Sequence, residues 1–245
     1  YIGSVIMQLI GFGLVLAIPN SQLPLKITFL LVGIWWVAFA QITFSRLPIS
    51  PKSERKAKKH PLINGFHELQ SVWNQVKHMP QLKRFLTAFF FYSIGVQTVM
   101  LVAIDFGIKE LKLENSKLII TAVIIQIVAI GGAIGMSRLS NLYGNIKVLS
   151  LTVCLWIAVC IAGYFMQTEL HFYIIASLVG LVMGGIQSLS RSTYSKLMPQ
   201  TKDTASFFSF YDVTEKFAIV IGLFSFGFIE GFTGSMRNSI LALII

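Results

Sequence analysis

The 245 residues are 55% hydrophobic and only 12% charged, with a formal net charge of +10 and a mean hydropathy of +0.73. A soluble domain of this size would expose far more charge, whereas apolar runs of about 20 residues match a hydrocarbon core about 30 Å thick. The basic excess alone would suit a nucleic acid, but no binding module or basic-aromatic alternation accompanies it, so no nucleic-acid partner is expected.

In chain order the runs predict spans over 1–19, 27–45, 85–106, 118–137, 148–167, 171–194 and 205–229, with another starting near 236. This is an all-α membrane protein of about seven complete spans and part of an eighth. Tyr1 is not an initiator and the run from Ile240 stops part-way across, so the chain is expected to be a piece of a longer one. Cys154 and Cys160 share one span six residues apart, a spacing that suits neither a metal cluster nor a disulfide. Alternate loops differ in Lys and Arg: one set holds fourteen, from Arg46 through Lys202, and the other holds Lys26, Lys109, Lys112, Lys117 and Arg237. Positive side chains stay on the cytoplasmic side, which places the long 46–84 loop there.

That loop opens on the basic run PKSERKAKKH and continues past Pro61 with Leu62, Phe66, Leu69, Trp73 and Val76 at 4-3-4-3 spacing. The spacing predicts an amphipathic helix that enters at Pro61 and leaves at Pro80. It is read either as a surface helix lying along the headgroups and gating the protein, or as a linker held to anionic lipid. His60, His67 and His78 lack the spacing of metal ligands, so no metal and no other cofactor is expected.

The densest polar script runs from Gly184 to Gly227 and holds Arg191, Asp212, Glu215 and Lys216 in or beside apolar helices. An ionised side chain at the bilayer centre costs at least about 2.5–3.5 kcal/mol, so each needs a reason. Gln187, Ser190, Arg191 and Tyr194 fall at i, i+3, i+4 and i+7 on one stripe, and Ser209, Asp212, Glu215 and Lys216 share a side of the next helix. With about 1.5 Å of rise per residue from Thr204, Asp212 lies about 12 Å deep and Lys216 about 18 Å deep. Two readings stand. In one, Asp212 or Glu215 carries a proton between states while Arg191 or Lys216 meets a substrate carboxylate. In the other, Asp212 and Lys216 pair within their helix and the set fixes helix register.

Gln97, Thr98 and Gln126 sit at mid-depth and suit either a cavity wall or interhelical bonds, and Tyr92 and Tyr211 are the aromatics expected to line a cavity. Trp35, Trp36, Phe89, Phe90, Phe91 and Phe210 are read as lipid-facing or packing residues. The pairs Gly180/Gly184 and Gly131/Gly135 are expected to pack helices closely. Asp105, Glu110 and Glu114 are read as solvated acids near the outer mouth.

Ser137–Lys147, SRLSNLYGNIK, resembles the glycine-x-leucine-x-aspartate-arginine-x-glycine cytoplasmic motif of major facilitator superfamily transporters. Leu139, Gly144 and Lys147 fit. Ser137, Asn141 and Leu142 replace the glycine, aspartate and arginine, which removes the charges on which that motif's relay rests. FFFYSIGVQTVMLVA, IIQIVAIGGAIG and the 184–227 script together resemble the vacuole-effluxer-like branch of the superfamily, whose eukaryotic members are autophagy-related exporters of amino acids. Where relatives carry Asn-Asp after the tyrosine of the corresponding helix, this chain has Ser93-Ile94.

The resemblance implies a twelve-helix fold entered at the fifth helix: 1–45 the last two helices of an N-terminal bundle, 46–84 a cytoplasmic linker and 85–245 a C-terminal bundle. It implies secondary transport of a small solute, possible amino acids and proton coupling included, across a bacterial inner membrane or an endomembrane such as the vacuole. The first run lacks the glycine-proline-x-x-glycine-glycine signature of drug/proton antiporters, which favours metabolite efflux over drug export. The rivals are an intramembrane enzyme using Asp212 and Glu215, which lacks a nucleophile motif and His or Cys partners, and a scaffold or sensor that transports nothing.

Overall fold

A computed structural model describes residues 2–18, 22–47, 61–201 and 203–242, the side chains of 61–64 excepted. The basic run at 51–60, with His60, and Lys202 lie outside the described residues. The helices are α1 (Ile2–Ala17), α2 (Leu23–Arg46), α3 (Pro61–Val76), α4 (Pro80–Lys109), α5 (Asn115–Tyr143), α6 (Asn145–Tyr164), α7 (Glu169–Leu197), α8 (Thr204–Thr233) and α9 (Met236–Ala242). Six of them, α2 and α4 to α8, are long and apolar enough to cross a membrane, and α1 is a shorter apolar helix. The chain divides into two compact units, Tyr1–Pro61 and Leu62–Ile245.

In the first unit α1 packs on α2 through Gly11, where an added Cβ would come 2.9 Å from Thr28 Cγ2. Thr28 returns its hydroxyl to the Pro24 carbonyl at 2.8 Å, so no polar group is wasted at that contact.

The second unit is built on a seam between α5 and α7. A Cβ at Gly180 would lie 2.4 Å from the Ile125 carbonyl oxygen, one at Gly184 2.0 Å from that of Ala129, and one at Gly132 2.1 Å from that of Leu181. Only hydrogen fits between these backbones. In lipid, where no hydrophobic force separates helix from solvent, such close approach supplies the packing. Gly180 and Gly184 act as expected, but Gly131 and Gly135 have nothing within 4 Å. The packing residue is Gly132, because α5 buries Leu118, Thr121, Ala129, Gly132 and Ser140, one face about 100° of helix rotation away from the Gly131/Gly135 edge.

Pro80 opens α4 at its first turn rather than only closing the preceding helix, so this span begins earlier than the apolar run at 85 suggests. Gly144, with φ 88°, turns the chain between α5 and α6, a conformation that a Cβ would strain. The amphipathic α3 forms as expected, yet it buries Val72 and Val76 while Phe66 remains 68% exposed. Val72 and Val76 join Leu82, Leu86, Phe89, Tyr194, Phe207 and Tyr211 in one apolar cluster, and Trp73 stacks on Phe210 at 6.1 Å. The working face is therefore rotated from the Phe66/Trp73 stripe toward Val72, and it meets protein.

At the end opposite the basic loops, ion pairs join the helices: Lys109 to Glu230 (3.1 Å), Lys117 to Glu169 (2.6 Å) and Arg237 to Glu110 (3.1 Å). Glu110 is thus paired and three-quarters buried, contrary to its reading as a solvated acid. Arg237 also donates to the carbonyl of Tyr164, the last residue of α6, at 2.8 Å and to that of Met166 just beyond the helix, and lies over the Phe106 ring. A guanidinium in this place satisfies groups that a helix C-terminus leaves open.

Candidate functional site

Three helices bring the polar script together. The stripe on α7 splits into two edges: Ser190 and Tyr194 are buried, whereas Gln187 and Arg191 are exposed. From the buried edge, Ser190 meets the Tyr92 hydroxyl of α4 at 2.6 Å, and Tyr194 donates to the Phe207 carbonyl of α8 at 2.7 Å. From the exposed edge, Arg191 Nη2 donates to Asp212 Oδ1 of α8 at 2.8 Å, with side chains 61% and 50% exposed. Adjacent residues of α7 thus reach two different helices.

Asp212 therefore pairs across helices with Arg191, not with Lys216 four residues on. Lys216 is on the exposed side of α8 and, among the described residues, makes no ion pair. Glu215 is half-buried and accepts from Gln97 Nε2 of α4. Gln97 thus serves as an interhelical donor, while Thr98 Oγ1 and Gln126 Oε1 are buried without a partner among the described residues.

The two tyrosines behave differently. Tyr92 is half-buried and keeps its hydroxyl on Ser190. Tyr211 is only 4% exposed, stacked on Phe89 at 4.2 Å and tilted against Tyr194 at 4.9 Å. It meets the open face only through the Arg191 guanidinium, 6.0 Å from its ring. The buried Tyr211 ring and the Asp212 carboxylate thus share the Arg191 guanidinium.

The 137–147 motif stands apart from this group. Leu139 packs beside Val148, Leu149 and Leu189, Gly144 makes the turn, and Asn141 and Lys147 are exposed. Its link to α7 comes from a residue that spacing did not single out: Asn145 donates to Ser192 Oγ at 3.0 Å and accepts from Lys196 at 2.9 Å. A polar residue directly after a turn glycine, at the start of an apolar run, is the signal that marks it. Among the described residues no three His, Cys, Asp or Glu side chains converge as a metal site would require.

Residues 1–245, the whole chain, match the family described as vacuole effluxer Atg22 like. The chain belongs to that family. An Atg22-like chain of this kind is an integral, multi-pass membrane protein of major facilitator type, as the 184–227 script and the 137–147 turn implied. It is 30% identical to an uncharacterized MFS-type transporter, YxiO, of Bacillus subtilis, over 100% of this chain and 58% of that protein. It is 26% identical to autophagy-related protein 22 of Yarrowia lipolytica and 27% identical to autophagy-related protein 22-1 of Penicillium rubens, covering 46% and 45% of them. The chain spans about half the length of these relatives. No solved structure matches it.

Proposed function

We propose that the protein is a secondary active transporter that moves a small zwitterionic solute, an amino acid by class, by alternating access with proton coupling. The observation that carries this reading is the Arg191–Asp212 pair, half-exposed on a helix face and beside Lys216 and Glu215. A face with both signs of charge suits a solute that carries both. Arg191 commits one of its five N–H donors to Asp212, which leaves several for a carboxylate, and Asp212 and Glu215 offer oxygens to an ammonium group. Intramembrane ionisable groups that face an opening mark substrate and proton pathways. The effluxer and transporter names of the relatives support the same class.

In this reading Glu215, held by Gln97, is the proton-carrying group, Arg191 and Lys216 meet the carboxylate, Gln187 lines the same face, and Tyr92 and Tyr211 fix the geometry. The division expected from the sequence, bundles at 1–45 and 85–245 joined by 46–84, belongs to the same reading. The test is reconstitution of the full-length protein in liposomes with an imposed pH gradient and labelled amino acids. Gradient-driven flux that is lost in Asp212→Asn and Glu215→Gln supports the reading. Flux of no small solute, or flux that both variants leave intact, refutes it; turnover of a substrate without flux would point to an enzyme and neither to a scaffold.

A further inference from the structure

The 137–147 turn walls a cavity of about 510 Å3 that the proposed transport site does not use. It lies among the end of α5, the Gly144 turn, the first residues of α6 and the last two turns of α7, with Asn141, Asn145, Lys147, Thr193 and Lys196 in its wall. The short α9, by contrast, packs on α4, α6 and α8. Gly144 takes φ 88° to make the turn and, as the residue before α6, has no side chain with which to cap it. The first amides of this 20-residue helix have no intrahelical acceptor, and two residues of that first turn, Asn145 and Lys147, line the cavity.

Thr193 is 2% exposed, and its Oγ1 has no hydrogen-bond partner among the described residues. Elsewhere in these helices a threonine hydroxyl returns to the carbonyl four residues back, as at Thr87, Thr121, Thr152 and Thr214. At Thr193 that bond is not made, so a buried donor is left over in the wall of the cavity. Lys196 gives one of its three donors to Asn145 Oδ1 at 2.9 Å, and Lys147 is exposed. The aspartate of the motif that this turn resembles would fall at position 141, where this chain has Asn141, and no Asp or Glu lines the cavity. Two ammonium groups and the positive end of a helix dipole thus meet without a counter-charge, an arrangement that an anion relieves.

We propose that this cavity binds a phosphate group, with Lys147 and Lys196 as its cations and with Thr193 and the first amides of α6 as its neutral donors. A helix N-terminus joined by lysines takes phosphate in this way. The several oxygens of a phosphate engage ammonium groups, amides and a hydroxyl at once, whereas a carboxylate has only two oxygens to share among them. A soluble phosphate ester and a phospholipid headgroup present the same chemistry, and the test separates them. The site stands apart from the transport reading, and its test measures no flux.

The full-length protein in detergent is titrated with glycerol 3-phosphate, or with acetate at matched ionic strength, and is also reconstituted in nanodiscs of phosphatidylglycerol or of an uncharged glycolipid. Occupancy is read by mass spectrometry as the acetylation rates of Lys147 and Lys196, with the exposed Lys77 as the reference. Glycerol 3-phosphate is expected to slow both lysines at least about fivefold relative to Lys77, and acetate to leave them unchanged. Slowing by the ester marks a soluble ligand and slowing only in phosphatidylglycerol discs marks a headgroup, and either supports the site. Thr193→Val removes a hydroxyl that has no partner, so the thermal melt should hold while protection weakens about fivefold. Asn141→Asp, an exposed change that returns the motif's carboxylate to the wall, should weaken protection about tenfold. Equal slowing by acetate, slowing from neither source, or undiminished protection in either variant overturns the proposal.

Discussion

Replacing Gly184 by alanine adds one methyl group where α7 crosses α5, and the outcome can be worked from the coordinates. The new Cβ would sit 2.0 Å from the Ala129 carbonyl oxygen and 2.9 Å from Ala133 N, whereas ordinary contact begins at 3.4 Å. The obstacles are backbone atoms, so no rotamer change relieves them and the helices must separate. Overpacking of this kind costs about 1–3 kcal/mol, and a backbone clash belongs at the upper end. For a chain of this size that corresponds to a drop of roughly 5–10 °C in Tm. Gly131→Ala is the control: nothing lies within 4 Å of its Cβ, and it gains up to about 1 kcal/mol of helix propensity. The buried Cys160 reports the melt through a thiol-reactive dye once the exposed Cys154 has been changed to serine. If Gly184→Ala melts with the wild type, or Gly131→Ala melts below it, the seam is not where the stability of this unit resides.

Other consequences can be measured on the same preparations. Arg191→Gln and Asp212→Asn are each expected to cut gradient-driven flux at least about tenfold, the loss that accompanies one charged hydrogen bond, and the charge swap Arg191→Asp with Asp212→Arg should not restore it; recovery by the swap would mean that the pair is only a strut. Gln97→Leu leaves Glu215 without its donor from α4, so flux should fall about tenfold while Gln97→Asn retains part of it; an unchanged rate in Gln97→Leu would remove Gln97 from the site. Arg237→Gln loses the Glu110 pair and the bonds to the Tyr164 and Met166 carbonyls, at and just past the end of α6, and should lower stability by about 2–4 kcal/mol in the Cys160 melt, with Arg237→Lys only partly better. A melt within about 1 kcal/mol of wild type would show those contacts to be solvated equivalents.

Much of the fold was legible because apolar length is nearly sufficient to locate a span. The runs at 118–137 and 205–229 fall inside α5 and α8, and α4 starts ahead of its apolar run because a polar first turn, Pro80–Arg84, continues the helix, whereas the expected 1–19 and 148–167 overran the ends of α1 and α6. Rotation about the helix axis was less legible. The choice between Gly131 and Gly132, or between Phe66 and Val72 as the working face of α3, depends on which neighbour a helix meets, and that neighbour is remote in sequence. The candidate site shows the same division. Spacing placed Gln187, Arg191, Asp212 and Glu215 on helix faces, and the adjacency of their two helices brought Arg191 toward Asp212, but nothing local marked Gln97, 118 residues away, as the partner of Glu215. Glu110 was misread for the same reason, since its partner Arg237 lies 127 residues on.

The seating of α3 also bears on how such chains can be cut and recombined. Val72 and Val76 are 2% and 0% exposed, wedged among residues of α4, α7 and α8 that include Tyr211. A chimera between two family members that changes parent near Pro80 would pair one parent's wedge with the other's aromatic socket, next to the ring that seats Arg191. A junction upstream of Pro61 inherits wedge and socket together, so viable hybrids, and tolerated insertions such as fluorescent tags, should concentrate there.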